Sequence, residues 1–217
     1  MFGQVLYTQW KWARTELFLY VLAAFLVPTV IIRIGYSQVD AYSISNVLGV
    51  MGFAGAFFGV LALVCAFGLA WRPYIIDASL RHVGPLSLPV PWATFVRLRF
   101  LAGATLLLIP TIAVLLGGVI ATATSVVPAT LHAYPGGVAI RFLFASLVAY
   151  SAGFLLQYVA GKHAVRVAIG LFFFVILVGL TTSLLGYDSL LLKAWDGLTT
   201  WPGPFSIFNA RWMLIDV

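Results

Sequence analysis

Residues 46–71 read NVLGVMGFAGAFFGVLALVCAFGLAW, a run without one charged side chain. A helix of that length rises about 39 Å, more than the roughly 30 Å of hydrocarbon in a bilayer. The stretch is therefore read as a membrane-spanning helix. Within it Gly55 and Gly59 stand four apart, and Gly52 with Ala56 makes a second small-residue step of the same length. Such steps let two helix backbones approach closely where lipid supplies no hydrophobic drive for association.

Working outward, four more runs are long and apolar enough to span: 15–37, 99–124, 135–160 and 166–187. Composition agrees. The chain is 63% hydrophobic and only 8% charged, with a mean hydropathy of +1.08. A soluble fold of 217 residues has too much surface to hide so large an apolar fraction. The expected fold class is all-α: a polytopic integral membrane helix bundle of about five transmembrane helices, forming a single domain over 1–217. Ala145, Ala149 and Gly153 repeat the small-residue spacing in the fourth span, and Pro28 and Pro110 are expected to bend the first and third.

Both ends of the chain carry interfacial signals. Residues 1–14 mix Phe2, Val5, Leu6, Trp10 and Trp12 with Gln4, Gln9, Lys11 and Arg14. That pattern fits an interfacial helix, with its tryptophans at headgroup depth. Residues 188–217 hold Trp195, Trp201 and Trp212 around a helix-breaking Trp201-Pro202-Gly203-Pro204. This tail reads as an interfacial layer on the outer face or a shallow re-entrant turn rather than a sixth span. The first apolar run lacks a small-residue cleavage site and is not read as a cleavable signal.

The net charge of +6 is scattered between apolar runs instead of forming a stripe, so no nucleic-acid partner is implied. It sorts instead by side. With the N-terminus inside, Lys11, Arg14, Arg72, Arg81, Arg97, Arg99, Lys162 and Arg166 fall on the inner face, whereas Arg33, Arg141, Lys193 and Arg211 fall outside. The positive-inside bias thus favours a cytoplasmic N-terminus and, with five spans, an outer C-terminus.

Catalytic constellations are sparse. His82, His132 and His163 lie on different loops with no metal-ligand spacing, so no metal is expected. The acidic residues form no pair at helical spacing, and neither a nucleophile elbow nor a phosphate-cradling loop occurs. The lone Cys65 sits in an apolar run, where it behaves as a small hydrophobe. The reading is a non-enzymatic chain without a cofactor. Gln157 and Tyr158 near the inner end of the fourth span are read as interhelical hydrogen-bond partners.

One segment addresses water at length. Residues 72–99 read RPYIIDASLRHVGPLSLPVPWATFVRLR and carry four arginines. Tyr74, Ile75, Ile76 and Leu80 alternate with Asp77, Ser79, Arg81 and His82 at helix-like intervals. An amphipathic surface helix ended by Gly84-Pro85 is expected. Leu88-Pro89-Val90-Pro91 then imposes an extended turn, because each residue before a proline is pushed out of the helical region.

Asp77, Leu86-Ser87-Leu88-Pro89-Val90, Phe95, Arg99 and Leu101-Ala102-Gly103 follow the order found in the permease subunits of type-2 ABC exporters, the ABC-2 family. The chain resembles that family over about its first 110 residues. The resemblance implies an N-terminal elbow at 2–14 and a coupling segment at 72–91 that docks on a separate ATPase subunit. In that segment the contact residues are expected to be Asp77, Ser79, Arg81, His82, Leu88, Pro89 and Val90. Arg141, Thr181, Thr182 and Ser183 are the polar groups expected to face a path between subunits of a homo- or hetero-oligomer. The implied location is the bacterial cytoplasmic (inner) membrane. This chain departs from the family at Pro91-Trp92, where Ser-Arg is common, and by lacking a sixth span. A structural membrane subunit that keeps a permease-like fold is therefore the second reading.

Overall fold

The computed structural model describes residues 1–36, 44–79, 91–124 and 135–160, together with the single positions 163, 170 and 193. They form five helices: α1 (Phe2–Tyr36), α2 (Ile44–Ser79), α3 (Trp92–Leu106), α4 (Leu108–Thr124) and α5 (Pro135–Ala160). Among the described residues four helical stretches are long and apolar enough to cross a membrane: Phe2–Val30, Phe57–Asp77, Trp92–Thr124 and Pro135–Tyr158. The chain is an all-α bundle and an integral membrane protein. The fifth expected span at 166–187 and the tail at 188–217 lie outside the described residues.

The expected interfacial segment 1–14 is not set off from the first span. It forms the opening turns of α1, which continues without a break through Pro28 to Tyr36. At 35 residues α1 is about 52 Å long, well beyond the hydrocarbon thickness. Likewise α2 does not stop at Trp71 but carries Pro73 inside it and ends at Ser79. The third span behaves as expected of its proline. Pro110 has no N–H to offer the Leu106 carbonyl, and the helix is interrupted one turn upstream at Leu107. There the Leu107 N–H bonds the Gly103 carbonyl at 3.3 Å, and the Thr111 hydroxyl donates to the Leu107 carbonyl at 2.8 Å. These bonds hold α3 and α4 together across the interruption.

Around the bundle the order is α1, α2, α5 and then α3–α4, which closes back on α1. Although consecutive in the order of elements, α2 and α3 lie diagonally opposite each other in the bundle. Small residues set the contacts. A Cβ on Gly117 would strike the backbone carbonyl of Phe25, so α1 and α4 meet backbone to backbone. Gly68 accommodates the Tyr20 ring, and Gly103 accommodates that of Tyr150. Ala145, Ala149 and Gly153 are all buried, and a Cβ on Gly153 would lie 3.1 Å from Phe67 and 3.5 Å from Ala70. The small-residue reading of this stripe is borne out.

The apolar surface faces outward. Phe18, Leu22 and Leu26 on α1, Val60 and Leu63 on α2, Ile112 and Leu116 on α4, and Ile140 and Phe144 on α5 are all exposed. A soluble protein would hide these side chains; here they are the surface that lipid covers.

Candidate functional site

Polar residues enter the core at the end of the bundle that holds the N-terminus. On α1 the buried stripe runs Val5, Gln9, Ala13, Leu17, in steps of four. On α2 it passes through Ala62, Ala66, Leu69 and Pro73 to Asp77. On α3 it comprises Phe95, Arg99, Ala102, Gly103 and Leu106. Each helix thus substitutes one polar residue into an otherwise apolar inward face, and helical periodicity directs all three to the same place.

Arg99 Nη1 donates to Asp77 Oδ2 at 2.6 Å, and the two residues are 5% and 1% exposed respectively. The pair joins α2 to α3 across the bundle's diagonal. From the flank, Gln9 Nε2 on α1 donates to the Arg99 backbone carbonyl at 2.9 Å. From the opposite side α5 brings Tyr158, whose phenol lies within electrostatic reach of both Arg99 and Asp77. Its ring packs on Phe154 at 4.7 Å between centroids and faces Trp92 at 6.4 Å. An aromatic ladder of Phe100, Tyr150 and Phe154 closes the space beneath. All four sides of the bundle therefore converge on one ion pair.

Two buried charges separated from water hold each other in place. The desolvation cost of such a pair is large, and losing one partner strands the other at a cost of about 3–5 kcal/mol. Satisfaction is incomplete among the described residues: Arg99 Nη2, Gln9 Oε1, Gln157 Nε2 and Tyr158 Oη are buried without a hydrogen-bond partner. The interhelical bonds expected of Gln157 and Tyr158 are thus not seen there, although the Gln157 side chain is buried.

Asp77 requires a correction. The resemblance implies that it faces an ATPase, but its carboxylate points into the bundle because α2 continues past Pro73 and carries it onto the buried stripe. Ser79 is exposed, and its hydroxyl donates to the Ile76 carbonyl at 2.6 Å in the last turn of α2. Arg81, His82, Leu88, Pro89 and Val90 lie outside the described residues, as do Thr181, Thr182 and Ser183. Arg141 stands half-buried near the start of α5, about 25 Å of helix from Tyr158 and the ion pair. The structure therefore does not bring Arg141 and Asp77 together.

The expected interfacial helix puts Gln9 at the membrane surface and the charge count puts Arg99 on the inner face, whereas the structure buries both. Extending the apolar stripes of α1 and α2 beyond the expected span boundaries would have placed Gln9 and Asp77 inside. No family model, curated protein or solved structure matches the chain.

Proposed function

We propose that the chain is a non-catalytic membrane subunit of permease type, similar to the ABC-2 exporters, driven by a separate cytosolic ATPase that docks on residues 80–91. The observation that supports this reading most is the Asp77–Arg99 pair at 2.6 Å, which locks together the two helices flanking that segment. Gln9 extends the lock to α1. Force applied to a segment rooted in this way reaches the whole bundle instead of being lost in a hinge. In this reading the N-terminal end is the cytoplasmic face, in keeping with the exposed Lys11, Arg14, Arg72 and Arg97 gathered there. Arg81 and His82 contact the ATPase, and Asp77 acts behind them by holding the segment's root.

The test is purification of the tagged full chain in mild detergent from its native membrane, with the stoichiometric partners identified. A Walker-motif ATPase is expected, and it should be lost from an Arg81→Glu/His82→Glu variant whose helical circular dichroism is unchanged. Recovery of a defined complex containing no ATPase would instead make the chain a structural subunit. That second reading draws on the same observation, since a bundle fastened across α1, α2 and α3 also serves as a rigid scaffold.

A further inference from the structure

The described lysine and arginine residues at the N-terminal end divide into two groups. Arg99 is matched by Asp77, and Arg72 is matched by Glu16 at 3.1 Å. Lys11, Arg14 and Arg97 are exposed, and no carboxylate among the described residues pairs with any of them. Lys11 and Arg14 are on α1 and Arg97 is on α3, two helices that pack against each other. The Gln9 bond to the Arg99 carbonyl sets residues 9 and 99 at one height. The two helical paths run parallel, with Phe25 meeting Gly117 farther along. Lys11 and Arg14 thus lie about 3 and about 8 Å beyond that level and Arg97 about 3 Å before it, a spread of about 11 Å. The three charges therefore occupy one band around the bundle's end.

Each side of the band borders an apolar stripe. Phe18 follows Arg14 by four residues, Leu101 follows Arg97 by four, and both are exposed. One turn of helix, about 5–6 Å, separates cation from hydrocarbon surface in both cases. Trp10 and Trp92 are exposed at the same end, as expected of rings at headgroup depth. A ligand complementary to both features joins a phosphate to a long apolar chain. Inorganic phosphate would satisfy the cations but leave Phe18 and Leu101 uncovered. A zwitterionic lipid brings its own counter-cation, whereas three positive charges with no carboxylate partner among the described residues call for net negative charge.

We propose that Lys11, Arg14 and Arg97, with Phe18 and Leu101 beside them, form a binding surface for anionic phospholipid. Each basic group near a membrane surface strengthens such binding several-fold. The surface is independent of any ATPase.

The experiment places the full chain in phosphatidylcholine vesicles containing a small proportion of spin-labelled phosphatidylglycerol or spin-labelled phosphatidylcholine. The protein-restricted fraction of each label is then read. Phosphatidylglycerol should associate at least about fivefold more strongly at low salt. The preference should fall toward unity near 1 M salt, where the Debye length is about 3 Å. It should also vanish in Lys11→Gln/Arg14→Gln/Arg97→Gln and persist in Lys11→Arg/Arg14→Lys/Arg97→Lys. Inorganic phosphate should displace the lipid no better than chloride at equal ionic strength. Equal association of the two labels at low salt, or a preference that survives in the glutamine variant, would overturn the proposal. If the glutamine variant loses its helical circular dichroism, the salt titration of the unaltered chain decides alone.

Discussion

Two ion pairs tie α2 to its neighbours within two turns of each other, and they do different work. Asp77–Arg99 is sealed from solvent at 2.6 Å. Glu16–Arg72 spans 3.1 Å with side chains 32% and 48% exposed. In the exposed pair, water screens both partners, so either can be lost cheaply. In the buried pair both charges are withdrawn from water, and geometry at that end of the bundle depends on both. The lesson is that charge at a membrane boundary has two roles, surface solvation and internal fastening, and helical register decides which one a residue takes.

That contrast can be broken first at the buried pair. Arg99→Met or Asp77→Asn should each cost about 3–5 kcal/mol, read as a large drop in the midpoint of reversible unfolding in mixed micelles. A loss below about 1 kcal/mol from either would place the two pairs in one class. Next comes Gly117→Val, expected to cost about 1–3 kcal/mol. The obstructing atom is the backbone carbonyl of Phe25, which cannot rotate away. Thermal midpoints of this variant show whether the apolar middle of the bundle is as intolerant as its polar end.

Smaller effects sharpen the picture. Gln9→Leu removes one donor to the Arg99 carbonyl and should cost about 0.5–1.5 kcal/mol, because that carbonyl belongs to a helix that remains intact. The smallest change is expected from Glu16→Gln, about 0–1 kcal/mol and shrinking as salt is added. A salt-independent loss of several kcal/mol there would show that the exposed pair is buried in the membrane-embedded protein.

Much of the bundle was legible in the sequence because a bilayer leaves few options. Uninterrupted apolar runs had to be helices, and small residues four apart had to mark close packing, as Ala145, Ala149 and Gly153 do. Pro110 announced the interruption that occurs at Leu107. Helix ends were harder to read. Arg72-Pro73 looks like the end of a span, yet proline is tolerated inside a helix whose neighbours support it, and α2 runs on to Ser79. A span ending at Trp71 puts Asp77 on the surface, whereas the continued helix puts it in the core. The Asp77–Arg99 contact was not legible at all, since a separation of 22 positions and a diagonal placement of the two helices leave no local periodicity to read.

The most direct measurement is a double-mutant cycle on the buried pair, using Asp77→Leu, Arg99→Met and the double variant, with unfolding free energies compared in one micelle system. If the two charges fasten the bundle's end together, the double variant should be about as stable as, or more stable than, either single one. The coupling should then be at least about 1.5 kcal/mol. Losses that add to within about 0.5 kcal/mol would mean that Asp77 and Arg99 act independently, and the fastening of α2 to α3 would be contradicted.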